Sequence, residues 1–289
     1  MNIYRIYWFM DEFAKQFNEW NAQQSLLEQG QRQRHTRLSL AELLTIVIMF
    51  GYSPIKNFKW YYTHYLPHKY PGYFTPLSYH RLLELLPRLL LPLIGLLHSL
   101  KGKQTGVYFV DSTKLAVCHN KRTDQHKVFK GLANLGKSSM GWFFGFKLHL
   151  LINHYGQLMG AKITRASVDD REPLPNLLTS LRGLCFADKG YIKAHLFSNL
   201  YKKGLKLVTP IRTNMTNKLI PLHEKLMLKK RSVIESVFNV LKSQFNIEHS
   251  RHRSPLNAFV HILAALVGYC FKSSKHAIAN FTSLMLIPS

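Results

Sequence analysis

The chain predicts an α/β fold in which a mixed sheet is flanked by helices and preceded by an all-helical N-terminal region. Three observations carry this expectation. The first hundred residues read as helices, with apolar residues at helical spacing. From about residue 104 the character changes to runs of Val, Phe, Tyr, Ile and Leu separated by turn signals and helical stretches. The charge changes at the same place. Residues 1–100 carry ten Lys/Arg against six Asp/Glu, and residues 101–289 carry 29 against nine, so +4 and +20 make up the total of +24.

The elements follow in order. Ser39-Leu40-Ala41-Glu42 has the form of a capping box ahead of Leu43 to Phe50, and Gly51 can end that helix. An aromatic segment from Phe58 to Tyr65 follows, and a second helical run begins after Ser78. Such short helices fit either a helix-turn-helix that reads DNA or a bundle that only packs. Residues 105–118, 142–152 and 157–166 read as three strands, with Asn153-His154-Tyr155-Gly156 as a hairpin connection. A helix is expected over 173–181, a strand over 183–188, a helix over 192–203 and a strand over 205–209. A long helix over 222–245 and an apolar one over 256–271 complete the chain. The domains expected are residues 1–100, helical, and 104–289, built on the mixed sheet.

Composition removes several classes. A hydrophobic content of 46% with 12% aromatics excludes a disordered chain. Cys118, Cys185 and Cys270 are isolated and odd in number, which argues against a disulfide framework and for a cytoplasmic protein. Leu82 to Leu97 is the most apolar stretch, but Glu84, Pro87, Arg88 and Pro92 interrupt it, so a buried helical core is expected rather than a membrane span. Basicity spread over a folded region points to nucleic acid, although ribosomal and membrane-surface proteins share it.

Against that charge, three acids stand out. Asp111 follows Val107-Tyr108-Phe109-Val110, Asp188 follows Leu184-Cys185-Phe186-Ala187, and Glu235 lies in the long helix. At about 100° per residue, Arg231, Glu235 and Lys242 fall within roughly 40° of one another, and Val233, Ile234, Val237, Phe238 and Leu241 take the opposite arc. Taken singly, Glu235 reads as a surface salt-bridge partner and each Asp as a turn former or cap. Taken together, three carboxylates at one end of a sheet can hold two Mg²⁺ ions for phosphoryl transfer. Asp169 and Asp170 suit a helix N-terminus better, and His119, His126 and His149 with Cys118 match no zinc spacing.

Asp188-Lys189-Gly190-Tyr191 resembles the D-x-G-Y element around the second acid of insertion-sequence transposases. Arg231-x3-Glu235-x6-Lys242 resembles the R-x3-E-x6-K part of their Y-x2-R-x3-E-x6-K signature, with Leu228 standing where the Tyr is expected. Val110-Asp111-Ser112-Thr113 is similar to the first-acid strand. With His126 to Gly131 and Gly145-Phe146-Lys147-Leu148-His149, the likeness is greatest to the 982-type insertion-sequence family. The resemblance spans most of 104–270 and implies a DDE transposase with a ribonuclease-H-like domain. It implies Asp111, Asp188 and Glu235 as metal-binding triad, two Mg²⁺ (Mn²⁺ able to substitute), and double-stranded DNA at transposon ends and target. Phosphate contacts are expected from Arg231, Lys242, Lys189, Tyr191, Lys193, Arg251 and Arg253, and a homodimer on DNA, with no membrane. A nuclease that cuts without joining, or a non-catalytic DNA-binding protein, are the alternatives.

Overall fold

The computed structural model of the chain describes residues 2–25, 36–138, 141–211, 220–248 and 252–278. They fall into two compact units. One takes the described residues of 1–100, 241–247 and 252–272, the other those of 101–240, 248–251 and 273–289.

The first unit is helical. It opens with α1 (Ile3–Ser25) and α2 (Leu40–Phe50). The predicted capping box is present: the Ser39 hydroxyl accepts the Glu42 N–H and the Ser39 N–H donates to the Glu42 carboxylate. Nine of the eleven α2 residues are buried, so α2 is a core helix rather than one presented to a DNA groove. Gly51 ends it in an ordinary right-handed conformation. What Gly51 supplies is space, because a Cβ there would lie 2.4 Å from the Phe245 ring. The aromatic segment forms α3 (Phe58–Trp60), a π-helical turn over Tyr61–Tyr65, and α4 (Leu66–Lys69).

The apolar run then gives α5 (Tyr79–Leu85), a 3₁₀ turn over Leu86–Leu89 and α6 (Leu90–Ser99). Tyr79–Ser99 is long and apolar enough to cross a membrane, with mean hydropathy 1.5. Pro87, which has no N–H to donate, lies in the 3₁₀ turn. Leu82, Leu86, Leu89, Leu93 and Leu96 are fully buried in the helical core, as the interruptions in the sequence predict.

The second unit is built on a six-stranded sheet. Its strands are β1 (Val107–Cys118), β2 (Asn134–Ser138), β3 (Gly141–Asn153), β4 (Leu158–Arg165), β5 (Gly183–Phe186) and β6 (Leu205–Val208). The order is β2-β3-β1-β5-β6, with β4 also on β3. β2 and β4 share one edge of β3 end to end, pairing with 141–145 and 146–152 respectively. β1 runs antiparallel to β3 and parallel to β5, and β5 parallel to β6, so the sheet is mixed, as predicted. On one face Tyr108, Val110, Cys185, Ala187 and Leu207 pack in a core with Leu174 and Leu178, and with Leu196 and Leu200. A mixed sheet flanked by helices, with a helical region ahead of it, is consistent with the ribonuclease-H-like fold.

Four details depart from the sequence reading. β2 was not anticipated. The helix expected over 173–181 is only α7 (Leu174–Leu177), because the chain turns through Ser180 at φ 65°. In place of 192–203 there is a 3₁₀ turn over Lys189–Tyr191 and then α8 (Ala194–Lys202). The long helix divides into α9 (Leu222–Lys229) and α10 (Ser232–Ser243), with a turn at Lys230-Arg231. The first nine residues of α10 count with the sheet unit and the last three with the helical one. Phe245 beyond it fills the space left by Gly51 and Gly268, and α11 (Pro255–Phe271) adds Val260, Ala264 and Val267 to the helical core.

Candidate active site

Parallel pairing sets the first two acids in step. Phe109 of β1 is the partner of Phe186 of β5, and their rings stack with centroids 5.5 Å apart. Asp111 lies two residues beyond Phe109, and Asp188 two residues beyond Phe186. Side chains alternate along a strand, so both carboxylates project on the face that carries the two Phe rings. The opposite face holds Tyr108, Val110, Cys185 and Ala187 in the core. The apolar runs that the sequence places before each Asp are therefore the anchors that bring the two acids to the point where the β1–β5 pairing stops.

Asp111 is the more enclosed of the two. Its side chain is 20% exposed, and its Oδ1 accepts the Ser112 N–H at 2.8 Å. Burial raises its pKa above the ordinary carboxylate value. The Arg231 guanidinium and the Ser112 N–H oppose that rise, and the like charge of Asp188 adds to it.

The turn at Lys230-Arg231 brings the third acid into the group. Arg231 sits immediately before α10, 19% exposed, and its guanidinium reaches two carboxylates. One nitrogen donates to Asp111 Oδ2 at 2.7 Å and another to Glu235 Oε1 at 3.1 Å, one helical turn along. The predicted Arg231–Glu235 pair is thus present, and with it a link to a residue 120 positions away that spacing alone does not show. Lys242 lies seven residues on from Glu235, in the three residues of α10 that count with the helical unit.

The segment after the second acid divides between surface and core. Lys189 and Lys193 are exposed. Lys193 lines a groove of about 770 Å³ with Arg171, His195, Lys202 and Lys203. Tyr191 departs from the sequence reading, which expects it to contact phosphate: it is 2% exposed and packs in the sheet core. Burial, with the nearby charges of Asp111 and Asp170, pushes its phenol pKa upward.

Asp169 and Asp170 do not cap a long helix. Asp169 is paired with Arg171, which holds its pKa down to about 2, and Asp170 pairs with Lys147 at 3.1 Å. Lys147, inside the Gly145–His149 motif, also donates to the Val168 carbonyl at 2.9 Å. His149 is buried, its Nε2 is 2.8 Å from Thr164 Oγ1, and burial lowers its pKa to about 4. Arg253 is exposed and belongs to the helical unit. Arg251 and His249 lie outside the described residues.

On donor chemistry the acids fit a hard divalent cation. Carboxylate oxygens are the preferred ligands of Mg²⁺, which takes one or two from the protein and leaves the remaining positions to water and substrate phosphate. Among the described residues no three His, Cys, Asp or Glu side chains already form a closed ligand cluster. Asp111 is nevertheless desolvated beside a second acid, and the one guanidinium on it is divided with a third.

Residues 101–255, 155 of the 289, match a family model described as a transposase DDE domain. A putative transposase for insertion sequence element IS6501 from Brucella ovis is 27% identical over 125 residues, 42% of this chain and 95% of the relative. Neither match names the 982-type group.

Proposed function

The chain belongs to the transposase DDE-domain family, and on that premise we propose that it is an insertion-sequence transposase. It would nick DNA at the transposon ends and transfer the freed 3′-hydroxyl to target DNA. The observation that carries this reading is the gathering of the acids: Asp111 and Asp188 in step past one parallel strand pair, and Glu235 tied to Asp111 through Arg231.

Asp111, Asp188 and Glu235 are the groups that would hold two Mg²⁺ ions, or Mn²⁺ in their place. When bound, such ions lower the pKa of an attacking water or hydroxyl and neutralise charge on the phosphoryl group in transfer. The protein's own contributions are positional and electrostatic. The Ser112 N–H fixes one Asp111 oxygen, and the guanidinium of Arg231 fixes the other and sets its distance from Glu235. Arg231 is also suited to a phosphate of the scissile strand, where a planar fork of donors meets developing charge. Lys189, Lys193, Lys242, Arg251 and Arg253 would follow the DNA backbone, so binding should weaken steeply with salt. Pairing two transposon ends needs two active sites, so the working form is a homodimer on DNA in the cytoplasm.

The test is cleavage and joining of a labelled duplex carrying the DNA that flanks the gene, with Mg²⁺, by wild type and Asp188→Ala. Wild type should give nicked and joined products. The variant should lose both by about a thousandfold or more while still binding DNA. Equal cleavage by the variant contradicts the triad. Cutting without joining indicates a nuclease, and binding with neither activity indicates a non-catalytic DNA-binding protein.

A further inference from the structure

Helix α8 covers one face of the sheet and has a basic groove beside it. Leu196 and Leu200 hold it against Cys185 and Ala187. That face is opposite the one carrying Phe109 and Phe186, toward which Asp111 and Asp188 project. The groove, of about 770 Å³, lies between α8 and the residues from Asp169 to Pro175. It therefore belongs to the other side of the sheet from the acids.

The charges along the groove do not balance. Asp169 is paired with Arg171, so those two cancel. Lys193, Lys202 and Lys203 are exposed, and among the described residues no ion pair reaches any of them. Of the lining acids only Glu172 remains to set against these three ammonium groups. Lys193 is the N-cap of α8 and Lys203 its C-cap. Ten residues at about 1.5 Å each put their backbones about 15 Å apart along the helix axis. Gly204, at φ 81°, turns the chain into β6 and leaves Lys202 and Lys203 at that end. His195 and Asn199 line the groove between the two lysine ends and add hydrogen-bonding groups.

A compact anion would meet only one end of this row. A DNA strand carries one charge per about 3.4 Å of helix axis, so about four phosphates span the distance between the lysine ends. The ligand whose charge spacing matches the groove is a linear polyanion.

We propose that the α8 groove binds the backbone of a stretch of DNA away from the phosphate being cut. The inference rests on the reading of the chain as a DNA strand transferase. It goes beyond that reading by giving the sheet unit a DNA contact on each face of its sheet. Lysine–phosphate contacts carry no base information, so this contact is independent of sequence.

The test is fluorescence anisotropy of a labelled duplex of about thirty base pairs, with the full chain in EDTA over a range of KCl concentrations. In the double variant Lys202→Ala, Lys203→Ala, two phosphate contacts fewer should lower the slope of log K against log salt by about 1.8. At about 0.1 M KCl its binding should weaken at least about tenfold on any sequence, and nicking in Mg²⁺ should need correspondingly more DNA. The double variant Lys202→Arg, Lys203→Arg should keep the wild-type slope. Circular dichroism melts check that both variants are folded. An unchanged slope in the alanine variant, an equal loss in the arginine variant, or lost nicking that excess DNA does not restore would each overturn the proposal. Tighter binding of the duplex RNA of the same sequence would overturn the assignment to DNA. Wild type that binds no duplex contradicts the reading of the chain as a DNA enzyme. Wild type that binds with a slope the alanine variant shares contradicts the groove alone.

Discussion

Two acids of the sheet unit are largely withdrawn from water, and the fold treats them differently. Glu224, on α9, is 4% exposed and has a cation of its own, the Lys206 ammonium on β6. Asp111, on β1, shares one guanidinium with Glu235 and has a third carboxylate, Asp188, near enough to raise its pKa. Glu224, with the His223 imidazole also 4.0 Å away, is fully matched as it stands. Three acids around a divided arginine can accept more positive charge, and that shortfall separates a site for a cation from a structural ion pair.

The comparison is open to experiment, and after the loss expected from Asp188→Ala the next largest effect is expected at Arg231. Replacing it with Gln removes the link between Asp111 and Glu235 and a donor for the reacting phosphate. Strand cleavage should fall about a hundredfold, with the acids still present to bind metal. Single-turnover nicking checks this, and an unchanged rate would make Arg231 a bystander.

His149 sharpens the contrast by showing a third treatment of a buried ionisable group, which is to keep it neutral. Its pKa of about 4 lies below the ordinary 6.5, so between those values the unfolded chain binds more protons than the folded one. The stabilisation from neutral His149 is therefore complete above about pH 6.5 and is lost as pH falls toward 4. By pH 5 the loss should be about 2 kcal/mol. Urea titrations of wild type and His149→Gln across that range should show a shallower dependence in the variant, and identical slopes would remove His149 as the cause.

The smallest effect is expected at Glu224. Glu224→Gln breaks the pair, but Lys206 is nearly half exposed and water takes over much of its solvation. A loss of about 1 kcal/mol in thermal or urea stability is expected, with no change in metal binding.

Much of the acidic site was legible because each Asp follows a short apolar run, although β1 continues past Asp111 to Cys118 and only Asp188 follows a strand end. Val107 to Val110 and Leu184 to Ala187 are short apolar runs, and each stops at an Asp. The helical spacing of Arg231 and Glu235 gave their pairing. Hidden were the features set by contacts between distant segments. Nothing in Lys229-Lys230-Arg231 signals a break, yet the chain turns there and Arg231 meets Asp111. Asn134-Leu135-Gly136-Lys137-Ser138 has little strand character of its own, and its pairing with β3 makes it a strand. Tyr191 read as a phosphate contact because it follows the second acid. The 3₁₀ turn over Lys189–Tyr191 leaves Tyr191 packed in the sheet core instead.

The most direct test of the central claim is Mn²⁺ binding to the full chain, followed by loss of the free-ion electron paramagnetic resonance signal. Wild type and Glu224→Gln should bind the ion alike, and Asp188→Asn should bind it at least about tenfold more weakly. Undiminished binding by Asp188→Asn, or equal losses in the Asp188 and Glu224 variants, would contradict the claim that Asp111 on β1 and Asp188 after β5 belong to the cation site.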